Sequence, residues 1–192
     1  MSDWRSFDRS LTFHGIIYRT DFYHKYGHTL LEHVFYEDHE YATYPCCYAR
    51  SVTPFDLFLY EYRIGDVNQS VSNANQLKRL GHTESVLQRM MELYRKLPES
   101  AGKDYAAMKI QGLLLSYLTT AMLVEPNKKA GRELAAKQMA LCKENAPKAW
   151  ELAQKKYRVF CLLNRLHISK KTWDAILSSG LYNRVRKNHS FD

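Results

Sequence analysis

The strongest constraint on the fold is an apolar stripe near the middle of the chain. Its members recur at the three- and four-residue spacing of an amphipathic helix, and they are Val86, Leu87, Met90, Met91, Leu93, Tyr94 and Leu97. Pro98 follows directly and closes the helix. Because such a stripe needs a partner, we expect the second part of the chain to build a helical core around it.

The segment 104–124 is the most apolar helix that the sequence predicts. Its apolar core, from about Ile110 to Val124, is shorter than the roughly 20 residues that a bilayer requires. It also contains Gln111 and Ser116. We therefore predict a central bundle helix rather than a membrane span.

Three further helices complete the predicted bundle. Residues 128–145 are rich in Ala and Lys, so we place this helix on the outside. Pro147 begins the next helix, whose buried side is expected to hold Trp150, Ala153, Tyr157, Phe160 and Cys161. Ser169 is the expected N-cap of the last helix, Gly180 its end, and Ile168 and Trp173 its hydrophobic staple.

The first part of the sequence predicts strands as well as helices. Residues 13–18, 48–53 and 57–63 are apolar, aromatic or β-branched, and we predict a strand for each. A short helix is expected from Thr20 to Gly27, and another from Glu40 that Pro45 ends. The predicted class is α+β, with a small β-containing region in residues 1–81 and a helical bundle in residues 82–192.

The densest chemistry lies in residues 31–41, which hold carboxylates and imidazoles beside aromatic side chains. A carboxyl group desolvated by aromatic neighbours has a raised pKa and can serve as a general base. Glu37 and Asp38 are adjacent, so they point in different directions on either a strand or a helix. We expect one of them to face a substrate and the other to position it or to bind a hydroxyl group.

The order of several motifs resembles the inverting family 2 glycosyltransferases of bacterial cell-surface polysaccharide synthesis. The resemblance covers roughly the first 80 residues, and it rests on Tyr-Arg-Thr-Asp-Phe at 18–22, Glu32, Phe-Tyr-Glu-Asp-His-Glu-Tyr at 35–41, Pro45 and Tyr-Glu-Tyr-Arg-Ile-Gly…Gln-Ser-Val-Ser at 60–72. It implies a GT-A fold, of which residues 1–81 would be the acceptor side. It also implies that Asp38 is the base that deprotonates the acceptor hydroxyl, with Glu37 as its neighbour.

Further residues are candidates for contact with the substrate. They are His14, Tyr36, His39, Tyr62, Arg63 and Gln69. A hydrogen-bonded core histidine is the alternative for His14, and a structural ion pair is the alternative for Arg63. The implied substrates are a nucleotide-sugar donor and a saccharide or lipid-linked acceptor.

The sequence also departs from the resembled family. It has no Asp-x-Asp pair and no Gly-rich phosphate loop. We therefore expect the C-terminal part of a longer enzyme, inactive alone and without a cofactor of its own, whereas Mg or Mn would serve the full-length enzyme. We predict no metal site in this chain, because His33 and His39 are six residues apart rather than at the i, i+4 spacing of helical zinc ligands.

Charge suggests a second hypothesis. Residues 1–81 carry 8 Lys/Arg and 10 Asp/Glu, whereas residues 82–192 carry 20 Lys/Arg and 10 Asp/Glu. A basic helical module could bind an anionic membrane surface or partner without catalysis. No nucleic-acid motif is present. Four Cys without metal or redox spacing favour the cytoplasm, and the basic helical half suggests the inner face of the membrane. An apolar central helix allows a homodimer.

Overall fold

Residues 12–61 and 73–178 are described here from a computed structural model. Of these residues, 72% lie in helices and none in a strand. The predicted α+β class, with its β-containing GT-A region, is therefore wrong: the described part of the chain is all-helical.

Short helices form the first part of the structure. After a 3₁₀ turn at Phe13–Gly15 come α1 (Thr20–Tyr26), α2 (Asp38–Tyr41) and α3 (Tyr44–Tyr48). Gly27 ends α1 as predicted, and a Cβ there would lie 2.4 Å from the carbonyl oxygen of Tyr23. Pro45 was expected to end a helix, but it lies in the first turn of α3, where a missing N–H costs nothing.

Longer helices form the second part. They are α4 (Asn73–Lys78), α5 (Leu80–Lys96), α6 (Ala101–Thr119), α7 (Lys128–Asn145), α8 (Pro147–Arg165) and α9 (Lys170–Ser178). A π-helical turn at Thr120–Val124 continues α6. The buried amide of Asn164 donates to the Met122 carbonyl oxygen in that turn at 2.7 Å and accepts from Arg132 at 2.7 Å. Carbonyl groups that the wider turn leaves without a regular helical partner can be satisfied in this way.

The core lies between α5, α6, α7 and α8. The predicted stripe of α5 is buried over its whole length, which confirms the pattern. In α6 the fully buried side chains include Ile110, Leu114 and Leu118. By length and composition, Ala101–Val124 could cross a membrane, but 61% of its most apolar window is buried within the bundle. A core helix of a soluble protein has the same property, and its packing agrees with the predicted central position.

Helix α7 is packed more closely than predicted. One of its faces is buried and holds Gly131, Ala135, Gln138, Met139 and Cys142. A Cβ on Gly131 would lie 2.1 Å from the carbonyl oxygen of Ala121, so α7 approaches the π-helical turn backbone to backbone. Small side chains appear weakly apolar in the sequence, yet they are what permits this approach.

The predictions for the last two helices are largely confirmed. Pro147 is in the first turn of α8, and the Oγ atom of Ser169 accepts a hydrogen bond from the Thr172 N–H at 3.2 Å. At the end of α8, His167 has φ 57°. The Ile168 N–H there bonds to the Leu163 carbonyl oxygen at 2.9 Å, as in a Schellman motif. Gly180 lies outside the described residues.

The predicted strands do not form in the described residues. Residues 13–15 make a 3₁₀ turn, and residues 51–61 form neither a helix nor a strand. Every residue of 51–61, here called the apolar segment, is exposed, and Phe58 is 100% exposed. The pattern of a strand is present, but a strand is stable only when a partner completes its hydrogen bonds. Positions 62 and 63 of the last predicted strand lie outside the described residues.

Hydrogen bonds connect the short helices to the long ones. The Tyr105 hydroxyl of α6 donates to the Ala42 carbonyl oxygen at 2.9 Å, and the Arg89 Nη2 atom of α5 donates to the Thr29 carbonyl oxygen at 3.0 Å. A Cβ on Gly102, at the start of α6, would lie 1.9 Å from the carbonyl oxygen of Cys47 in α3. These contacts hold residues 31–41, here called the acidic motif, against α5 and α6.

Candidate functional site

An open cavity of about 470 Å³ lies between the acidic motif and the helices α4, α5 and α6. The first part of the chain contributes Phe13, His14, Phe35, Tyr36, Glu37, Asp38, His39 and Tyr60. The helices contribute Gln76, Leu80, Thr83, Leu113, Ser116, Tyr117 and Thr120. The volume is within the range of small-ligand sites, and the wall mixes aromatic with polar groups as such sites do.

Both predicted acidic residues line this cavity. Glu37 precedes α2 and Asp38 is the first residue of that helix, and both side chains are partly exposed. The negative charge of Asp38 acts on Tyr36, His39 and Lys109, which places the carboxylate among these three groups. A carboxylate at an accessible cavity wall can accept a proton or a hydrogen bond from a bound hydroxyl group.

Tyr36 holds an unusual backbone conformation beside Asp38. Its φ is 75°, which is rare for a residue with a side chain. Burial raises the pKa of its hydroxyl, and the nearby Arg79 opposes that rise. The Arg79 guanidinium also lies 3.4 Å from the ring centroid of Phe35, and the Phe35 N–H donates to His82 at 3.2 Å. The start of α5 therefore fixes the loop that carries Tyr36 and Glu37.

His39 presents a polar atom without a partner. Its Nδ1 atom is buried and makes no hydrogen bond in the described part of the chain. Burial lowers the pKa of this imidazole, the Asp38 carboxylate opposes the effect, and Lys109 adds to it. The neutral imidazole is therefore favoured at neutral pH, and the buried Nδ1 atom is left without a hydrogen-bond partner in the described residues.

His14 also reaches the cavity. Its ring centroid lies 4.3 Å from that of Tyr60, which belongs to the apolar segment. This location agrees with the substrate-facing alternative for His14, which is partly exposed rather than enclosed in the core. Tyr60, which shares a predicted strand face with the candidate Tyr62, is a cavity residue that the sequence does not predict.

Three of the eight predicted site residues have no described position. Tyr62, Arg63 and Gln69 lie outside the described residues, so their predicted roles stay predictions. The other five, which are Glu37, Asp38, His14, Tyr36 and His39, line the same cavity.

The helical wall of the cavity was not predicted. The Tyr117 hydroxyl donates to Glu84 Oε1 at 2.6 Å, and the Thr120 hydroxyl donates to Gln76 Oε1 at 3.2 Å. In the sequence, Tyr117 and Thr120 read as ordinary members of an apolar helix. The available signal was that polar residues such as Ser116 and Thr120 interrupt that helix at a four-residue spacing, on one side.

Glu40 is structural rather than part of the cavity wall. Its side chain is 0% exposed and lies 2.8 Å from His28 Nε2 and 3.9 Å from Arg89 Nε. The His28 ring stacks on Tyr44 with 3.4 Å between centroids. This buried group links α2 to α3 and α5, and loss of one partner would leave a buried charge uncompensated.

The described residues do not fit a divalent metal ion. His14, Glu37, Asp38 and His39 line one cavity, but no three His, Cys, Asp or Glu residues in the described ranges are placed to hold one ion. We therefore derive no step through a metal at this cavity.

Comparison of the chain with protein-family models, with curated proteins and with solved structures finds no match.

Proposed function

We propose that this chain forms the acceptor-binding part of an inverting glycosyltransferase, in which Asp38 is the general base. The observation that supports the proposal is the open cavity, where Asp38 and Glu37 lie beside Tyr36, His39 and His14. The reaction class comes from the motif order in residues 18–72, which resembles that of family 2 glycosyltransferases. The described residues form no sheet, so the proposal concerns the cavity and does not include the GT-A fold.

The wall of the cavity suits a saccharide. Phe35, Tyr36 and Tyr60 offer aromatic surface, on which the C–H faces of a sugar ring can pack. Carboxylate, hydroxyl and imidazole groups alternate with that surface and can bind sugar hydroxyl groups. A cavity of about 470 Å³ has room for one or two sugar rings rather than a long glycan.

The reaction needs a base because a sugar hydroxyl holds its proton strongly near neutral pH. In the proposed step, the Asp38 carboxylate accepts that proton while the hydroxyl oxygen forms its bond to the anomeric carbon of the donor. The bond from that carbon to the diphosphate breaks on the opposite side, and the configuration inverts. Base assistance of this kind is worth about 10²–10⁴-fold in rate.

The nucleotide-binding function would belong to a region other than the described residues. The printed sequence has neither an Asp-x-Asp pair nor a Gly-rich phosphate loop. We propose that the chain binds the acceptor by itself and transfers sugar only together with a nucleotide-sugar-binding region. A divalent Mg or Mn ion, if the reaction uses one, would be held in that region.

Two measurements test the proposal. Titration of the chain with a panel of mono- and oligosaccharides, followed by NMR, should shift the ring signals of His14 and His39. Asp38→Asn, which keeps the size of the side chain, should retain saccharide binding but lower turnover of the complete enzyme by about 10²–10⁴-fold. Asp174→Asn on α9, whose carboxylate pairs with Lys170 outside the cavity, is the matched control and should retain both.

The outcomes separate the two parts of the proposal. If no saccharide shifts the His14 or His39 signals, the cavity is not an acceptor site. If saccharides bind but Asp38→Asn has full turnover, the cavity assignment stands and the base assignment is wrong.

A further inference from the structure

The outer side of α8 carries an apolar stripe that no described element covers. Its members are Leu152, Val159, Leu162 and Leu166, which are 42%, 41%, 57% and 61% exposed. Their spacing of seven, three and four residues places them along one side of the helix. The adjacent side of α8, about 100° around the helix axis, is buried against the core through Ala149, Ala153 and Phe160. Helix α8 therefore has two apolar sides, and only one of them is needed for the fold.

Cations lie within and beside this stripe. Lys155, Lys156, Arg158 and Arg165 are all exposed, and none forms an ion pair or hydrogen bond within the described part of the chain. By contrast, Lys148 at the start of α8 is paired with Asp104 of α6. Glu151 is the one carboxylate on α8. The outer side thus combines four apolar side chains with Lys155 in the same row and with Lys156, Arg158 and Arg165 at its edges.

We propose that the outer side of α8 docks on an anionic membrane surface. A helix at a membrane interface places Leu and Val side chains at the boundary of the acyl chains, while flanking Lys and Arg bind the anionic headgroups. The 19 residues of α8 extend for about 28 Å, long enough for all four apolar residues to contact one surface together. The buried side of the same helix holds the rest of the bundle at that surface.

Charge and apolarity argue against a second copy of the chain, and against nucleic acid, as the partner of this side. A second copy that docked by the same side in a two-fold dimer would bring unpaired cations of both chains together, which is unfavourable. Nucleic acid would be attracted by the cations, but its phosphates and base edges offer little to a row of exposed Leu and Val. An anionic bilayer satisfies both features at once.

The proposal does not depend on the glycosyltransferase hypothesis, because the α8 stripe and the cavity share no residue. Asp38→Asn is therefore expected to leave membrane binding unchanged. Failure of one proposal would not affect the other.

Co-sedimentation with vesicles tests the docking surface. The full chain should bind vesicles of phosphatidylcholine with added phosphatidylglycerol, bind weakly to pure phosphatidylcholine, and dissociate as salt is raised. Leu166→Ser should lower the partition coefficient about tenfold, since it removes one Leu side chain that would be buried in the membrane interface. Leu141→Ser is the matched control, because Leu141 is 38% exposed on α7 rather than on α8.

A second pair of variants tests the cations. Arg158→Gln should weaken binding to anionic vesicles, whereas Lys137→Gln on α7 should have a smaller effect. Circular dichroism of each variant distinguishes loss of docking from loss of the fold.

Several outcomes would overturn the proposal. It fails if the chain does not bind anionic vesicles, or if Leu166→Ser and Leu141→Ser weaken binding equally. It also fails if Leu166→Ser instead abolishes a concentration-dependent dimer seen by analytical ultracentrifugation, since the occupant would then be a second copy.

Discussion

Substitution of two glycines in the same helix tests how closely α6 packs against α3. Gly102 lies in the first turn of α6 and Gly112 in its interior. A Cβ on Gly102 would lie 1.9 Å from the Cys47 carbonyl oxygen, whereas a Cβ on Gly112 would meet no atom within 4 Å. The same Gly→Ala change should therefore have opposite effects on stability at the two sites.

The expected magnitudes follow from these distances. Ordinary contact begins at 3.4 Å, so α3 and α6 must separate by about 1.5 Å, the difference between 3.4 Å and 1.9 Å, to admit the methyl group at Gly102. Overpacking of this kind costs about 1–3 kcal/mol. The helix propensity of Ala offsets at most about 1 kcal/mol of it. Gly112→Ala, at an exposed position, gains about 0.5–1 kcal/mol without an opposing clash.

Urea and thermal unfolding, followed by far-UV circular dichroism, measure the difference. Gly112→Ala should raise Tm by about 1–4 °C, and Gly102→Ala should lower it. Equal stabilisation of both variants would refute the packing argument, because it would mean that α3 does not lie against the start of α6. The acidic motif would then lack the support that fixes it beside the cavity.

Three other properties of the chain can be tested in the same way. His167 has φ 57°, so His167→Gly should raise the free energy of unfolding by about 1 kcal/mol in urea titrations, and His167→Val should lower it. Burial lowers the pKa of His39 from its ordinary 6.5, so the unfolded chain binds this proton first as the pH falls. Stability should therefore decrease below about pH 7, and His39→Gln should flatten that decrease, whereas His24→Gln at an exposed position of α1 should not. Cys46, Cys47 and Cys142 are buried, and burial raises the pKa of their thiols, whereas Cys161 is only partly buried. A thiol reagent at neutral pH should therefore modify Cys161 first because it is the most accessible, and Cys161→Ser should remove the fast phase of the reaction.

The helices were predictable because their signals are local. The stripe that ends at Leu97, the proline at 147 and the cap at Ser169 each depend on residues within a few turns of one another. The inner side of α7 was missed for a different reason. Its closeness to the π-helical turn depends on Gly131 meeting the carbonyl of Ala121, and a contact between distant backbones leaves no local pattern.

The strand predictions were wrong because a sequence pattern alone does not show whether a strand has a partner. Residues 57–61 alternate as a strand would, but pairing depends on a neighbouring strand, and the described residues do not provide one. The same limit applies in part to the cavity. Clustered acidic and aromatic residues directed attention to Asp38 and Tyr36, whereas Tyr117 and Thr120 of the facing wall could be identified only after α6 was packed against the motif.

The apolar segment has a consequence for the behaviour of the chain at high concentration. Phe55, Leu57, Phe58 and Leu59 are exposed to water, and such an apolar run could pair as a β-strand with an identical segment of another chain. Asp56 interrupts this run and Glu61 follows it, and both carboxylates repel like segments, in the manner of gatekeeper residues. The colloidal stability of the chain therefore depends on two carboxylates that contribute little to its fold.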